Sequence, residues 1–135
     1  MANTRIESEK VEVNKSATEI YTFLSDFNNF QRLMPPQVTE WKSTTDECSF
    51  NINGMATIGM KIIEKTPHSN IKISSNGKVP FDFTLTISLQ EIDASKCSGQ
   101  MVFESEMNPM MKMMVEKPLG NFFNMLTHKL KDINS

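Results

Sequence analysis

The chain has 135 residues, 39% hydrophobic and 22% charged, with 14 Lys and Arg against 16 Asp and Glu, a formal net charge of −2. That length suits one domain, residues 1–135, able to bury a core without metal or disulfide, and the composition excludes wholesale disorder. The near balance of charge excludes the general electrostatic footprint of a nucleic-acid binder or of a protein held on an anionic membrane. Cys48 and Cys97 stand alone, without a CxxC pair, and read as reduced thiols. The polar N-terminus lacks the apolar core of a secretion signal. No run of 18 apolar residues predicts integral membrane association. The chain is therefore read as cytoplasmic.

Residues 4–13 predict an opening strand, with Val11 and Val13 on one face. Ser16-Ala-Thr-Glu19 has the form of a capping box, and Ile20, Phe23, Leu24 and Phe27 follow at helical spacing. Asn28-Asn29 is expected to interrupt that helix. A second helical piece from Phe30 to Met34 ends at Pro35-Pro36. Strands joined by tight turns come next. Val38–Thr44 carries Trp41, and Cys48, Phe50 and Ile52 alternate before the hairpin signal Asn53-Gly54. Ile58, Met60 and Ile62 alternate up to Pro67, and Ile71 and Ile73 lead into Ser75-Asn76-Gly77. Phe81, Phe83, Leu85, Ile87 and Leu89 take one face of a strand whose other face is polar. After the turn at Asp93–Lys96, Cys97, Met101 and Phe103 continue the pattern.

The C-terminal segment is helical. Asn108 suits the N-cap and Pro109 the first helical position. Met110, Met111, Met114, Val115, Leu119, Phe122, Phe123, Leu126, Leu130 and Ile133 keep helical spacing. Pro118 lies inside this run and predicts a kink or a break. With Gly120 it forms either a hinge over a cavity or a bend that follows the sheet.

A strand, two short helices, six antiparallel strands and a long amphipathic helix form a specific order. It resembles the helix-grip fold of the START and birch-pollen-allergen superfamily, also called SRPBCC or polyketide cyclase-like. The resemblance spans the chain and rests on Glu19–Asp26, Phe30–Pro35, Trp41, the hairpins and the helix from Asn108. It implies an α+β fold in which a curved, seven-stranded antiparallel sheet wraps the C-terminal helix, with two short helices after the first strand. It also implies a cavity for an apolar molecule between sheet and helix.

The apolar sheet face assigns the cavity wall to Phe50, Ile52, Ile58, Met60, Ile62, Ile71, Ile73, Phe81, Phe83, Leu85, Met101 and Phe103, with Ser105 also inward. The long helix adds Met110, Met111 and Met114, and the short helix Phe30, Leu33 and Met34, with Arg32 as a charge at the mouth. The run Met107, Met110, Met111, Met113, Met114 reads as core filler or adaptable pocket wall. Copper(I) ligation by thioethers and a membrane-surface helix fit it less well. His68 and His128 have no ligand pattern around them, and no cofactor or metal is implied. Glu104, Glu106 and Asp82 fall on the polar face, away from any cavity. Ser105 has no evident base, and no GxSxG, Walker loop, HExxH or GxGxxG occurs. The reading is a non-enzymatic binder of a small hydrophobic or amphipathic ligand. An enzyme of the polyketide cyclase or aromatase type and a protein-interaction module are the alternatives.

Overall fold

The structure, a computed structural model, describes residues 2–34, 36, 38–52, 56–77 and 82–131. Strands β1 (Ala2–Glu7) and β2 (Val11–Val13) precede helices α1 (Ala17–Leu24) and α2 (Phe27–Phe30), followed by a 3-10 turn, Gln31–Leu33. Strands β3 (Val38–Ser43), β4 (Glu47–Ile52), β5 (Ala56–Thr66), β6 (Asn70–Ser75), β7 (Phe83–Asp93) and β8 (Lys96–Met107) follow, then helix α3 (Pro109–Lys131). The strands form one antiparallel sheet in the order β1-β8-β7-β6-β5-β4-β3, with β2 also on β8. This is the helix-grip α+β architecture.

The sheet has eight strands rather than seven because the opening strand divides. Between Glu7, paired with Val102, and Val11, paired with Gly99, three residues face two. That bulge lets Ile6 and Val11, five positions apart, both point inward, and it bends the strand. The corner is tied down. Ser8 N–H donates to Met101 O at 2.9 Å, Ser8 Oγ accepts from Met101 N–H at 2.9 Å, and Glu9 N–H donates to Asn124 Oδ1 at 2.7 Å.

The first helix ends earlier than Asn28-Asn29. Its capping box is present, with Glu19 N–H donating to Ser16 Oγ and Ser16 N–H to Glu19 Oε1. The break falls at Ser25-Asp26 because the Asp26 carboxylate accepts from Asn28 N–H at 2.9 Å and starts α2 anew.

Cross-strand register stacks the inward residues in rows. Ile62, Ile73, Leu85, Phe103 and Ile6 lie side by side on β5, β6, β7, β8 and β1. Helix α1 covers one part of this face, against β6, β7 and β8, while α3 covers another, against β1, β2 and β8. At Gly59 on β5 an added Cβ would lie within contact-forbidden distance of the Asn76 carbonyl, whose own N–H donates to Gly59 O at 2.9 Å. Only glycine admits that approach.

Helix α3 crosses Pro118 without a break. Proline there removes the donor for the Met114 carbonyl. Met114 is an exposed residue, so water can satisfy that carbonyl.

Candidate ligand site between sheet and helix

Helix α3 has two unlike halves. From Phe122 onward, Phe122, Phe123, Leu126, Thr127 and Leu130 are buried, whereas no residue from Pro109 to Asn121 is. In that first half Met111, Val115 and Leu119 turn toward the core and are half-buried. Met110, Met113 and Met114 are 73%, 84% and 67% exposed. The assignment of Met110 and Met114 to the cavity wall is therefore corrected. Each precedes an inward residue, and one position rotates a side chain by about 100° around the axis.

A row of aromatic rings contributed by five elements, α3 among them, runs through the core. Trp41 on β3 stacks on Phe50 of β4 at 5.4 Å between centroids, and Phe50 stacks on Phe122 of α3 at 6.5 Å. Phe122 meets Phe123 edge-on at 5.5 Å, and Phe123 lies 5.5 Å from Phe103 on β8. Phe103 in turn stacks on Phe83 of β7 at 5.3 Å. These separations are those of attractive ring pairs.

Phe50, Ile58, Met60, Ile62, Ile71, Ile73, Phe83, Leu85, Met101 and Phe103 all point into the core, as do Phe30 and Leu33, with Met34 half-buried. Ile52 ends β4, and Phe81 lies outside the described residues. Ile71, Ile73, Leu85, Met101, Phe30 and Leu33 are enclosed by neighbouring side chains and are packed core rather than the wall of an open space. The candidate site is narrower than the whole apolar face. Its candidates on the helix are the half-buried Met111, Val115 and Leu119, which pack against the core that includes these rings. Val115, Leu119, Phe122, Phe123 and Trp41, which the sequence reading leaves outside the cavity wall, join the same core. Helical spacing alone could have found the first four; Trp41 needed the pairing of β3 with β4.

The polar groups sort by strand face. Glu104 and Glu106 point away from the core, and Glu104 lies 3.5 Å from Arg5 on the outer face. Asp82 is exposed. Ser105 is inward and buried, its hydroxyl donating to Asp82 O at 2.5 Å. Arg32 is exposed with its guanidinium 5.4 Å from the Phe23 ring centroid, held on the surface of α1. His68 meets Tyr21 edge-on at 5.6 Å, and His128 Nε2 lies 2.6 Å from Glu9 Oε1, both outside the site. Cys48 and Cys97 are free and buried. Burial pushes the Cys48 thiol up to about 12, against a smaller opposing effect of a Met60 backbone hydrogen bond, and raises Cys97 as well. Neither supplies a thiolate nucleophile at neutral pH. Among the described residues no group of three or more His, Cys, Asp or Glu could hold a metal ion. A surface depression of about 490 Å³ beside β2 is lined by Glu9, Lys10, Val11, Glu12, Asn14, His128 and Lys131. Its mixed charge does not suit an apolar guest.

Solved structures share this architecture over nearly the whole chain. A START superfamily protein from Mycobacterium smegmatis superposes with a TM-score of 0.75 at 15% identity, covering 95% of this chain and 94% of that one. The protein XoxI from Bacillus cereus gives 0.75 at 14% identity, with 98% and 94% covered. Norcoclaurine synthase from Thalictrum flavum, solved in complex with dopamine and hydroxybenzaldehyde, gives 0.71 at 15% identity, with 99% and 90% covered. No family model matches the chain, and no curated protein does. The fold is thus that of the START and birch-pollen-allergen-like helix-grip proteins. No helix among the described residues is long and apolar enough to cross a membrane.

Proposed function

We propose that the protein binds a small apolar or amphipathic molecule between the aromatic row and the first half of α3. One observation carries the reading: α3 meets the ring row through Phe122 and Phe123, yet no side chain from Pro109 to Asn121 is buried. Apolar side chains left half-covered over a ring-lined floor are the usual raw material of a ligand pocket. The likeness to norcoclaurine synthase, whose complex holds two small aromatic molecules, supports the same ligand class. Binding is favoured over a cyclase-type reaction because the buried polar side chains among the described residues are the hydroxyls of Thr4, Ser8, Ser98, Ser105 and Thr127, which are weak acids and weak bases.

A second reading, a protein-contact surface, draws on the exposed thioethers of Met110, Met113 and Met114. Native mass spectrometry of freshly purified protein separates the two. A co-purified small molecule, lost in a Val115→Trp variant that fills the site, supports the ligand reading. A bare chain that also fails to take up 1-anilinonaphthalene-8-sulfonate overturns it. A defined complex with another protein chain under the same conditions would favour the surface.

A further inference from the structure

We infer that the bound molecule carries a neutral hydroxyl and that Thr4 is its anchor. The inference rests on the ligand site proposed above and narrows its chemistry. Thr4 has no exposed surface, and among the described residues its Oγ1 is the buried side-chain atom that lacks a hydrogen-bond partner. Buried hydroxyls are satisfied in nearly all folded proteins, so an orphan asks for a partner.

Its position is that of a ligand contact. Thr4 pairs with Ser105 across β1 and β8, and Ser105 pairs with Phe83, the last ring of the aromatic row. β8 ends at Met107 opposite Ala2, and α3 starts two residues later, so helix and β1 set out from the same corner. Farther along, Ile6 Cγ2 lies 3.8 Å from where a Cβ on Gly120 would sit. Thr4, two residues before Ile6 on the same face, therefore lies toward the loosely covered first half of the helix. A guest reaches it by displacing half-buried side chains there, and the unbranched Met111 adapts at small cost.

The two hydroxyls discriminate between polar groups. Ser105 gives its proton to Asp82 O and keeps its lone pairs as acceptors. Thr4 has both its proton and its lone pairs free. A ligand hydroxyl can accept from Thr4 and donate to Ser105, whereas a carbonyl can use only the Thr4 proton. A buried carboxylate would gain nothing from Arg5, the cation next to Thr4 in sequence, which sits on the outer face with Glu7 and Glu104.

Naphthalene, 2-naphthol and 2-naphthoate have one shape and differ in the polar group, so their titration by heteronuclear NMR tests the inference. The wild type should bind 2-naphthol roughly three- to tenfold more tightly than naphthalene, as one net hydrogen bond allows. It should bind 2-naphthoate no better than naphthalene. Thr4→Val, nearly isosteric, should keep the naphthalene affinity and erase the naphthol preference, while Thr4→Ser should retain it. Equal affinities of the wild type for naphthalene and 2-naphthol, or a preference that survives in Thr4→Val, would overturn the inference and leave the site standing. Binding of neither compound would overturn both. Should Thr4→Val fail to fold, loss of the naphthol preference in Ser105→Ala supports the same two-hydroxyl geometry, and its persistence refutes it.

Discussion

Truncating leucines along α3 tests whether its two halves are held as differently as their burial indicates. Leu126 and Leu130 are 2% and 1% exposed, whereas Leu119 is half-buried. A leucine cut to alanine in a closed core loses its transfer free energy and leaves a cavity, together about 3–4 kcal/mol. At Leu119 only part of the side chain is removed from water and the gap opens toward solvent, so the loss should be about 1 kcal/mol. With a urea dependence of about 2 kcal/mol per molar, the midpoint should fall by about 1.5–2 M in Leu126→Ala or Leu130→Ala and by about 0.5 M in Leu119→Ala. Equilibrium urea unfolding followed by circular dichroism gives each value. A Leu119→Ala cost equal to that of Leu126→Ala would mean that the first half is clamped as firmly as the second. The space proposed for a ligand would then not exist.

Three further outcomes follow from particular contacts. The Glu19 carboxyl is held below its ordinary range, first by the Ser16 backbone N–H and then by the Ser16 hydroxyl, so its contribution is present above about pH 4.3 and fades on acidification through the folded-state value. The gap in Tm between wild type and Glu19→Ala should therefore be steady near neutrality and close in acid; a gap unchanged at pH 2.5 would refute the capping role. Cys48, raised to about 12 by burial, should resist an aromatic disulfide reagent at pH 8 in the native protein and react in urea. Because the unfolded thiol ionises from about pH 8.5, native stability should decline above that pH, and less so in Cys48→Ala; prompt native labelling would contradict the burial. Gly59→Ala drives a Cβ against the Asn76 carbonyl and should cost about 2–3 kcal/mol in urea unfolding, while a neutral result would show that the β5–β6 end yields freely.

Local signals in the sequence were the legible ones. The capping box at Ser16 and Glu19 forms as its spacing predicts, and the Asn108 side chain accepts from Met111 N–H at 2.8 Å. The alternation from Phe83 to Leu89 faces the core as a strand of period two must. The bulge at Ser8 was also written locally, as a change of phase between Ile6 and Val11, but a three-residue strand carries too short a pattern to separate from its neighbour. The methionines misled for another reason. With Met at 110, 111, 113 and 114 the apolar positions surround the axis, so spacing cannot tell which of them face the sheet. The aromatic row was illegible because its rings come from β3, β4, α3, β8 and β7 and meet only in the tertiary structure. The orphan hydroxyl of Thr4 depends on what its neighbours fail to offer, which no local pattern records.

The pairing of β1 and β2 with β8 has a consequence for how the chain reaches this state. From β3 to β8 each strand bonds to its neighbour in sequence, so those hairpins can close as soon as their residues exist. The opening strand has no such partner nearby. Ala2 waits for Met107, and that contact closes a loop from residue 2 to residue 107, the kind of closure that slows folding. During synthesis at about 5–20 residues per second, β1 therefore spends seconds unpaired, and once β8 emerges its outer edge is bare until β1 returns. A bare edge is a template for another chain. When β1 docks, the short Ala2–Glu7 strand replaces the long β8 as the sheet's edge, leaving a shorter template for another chain.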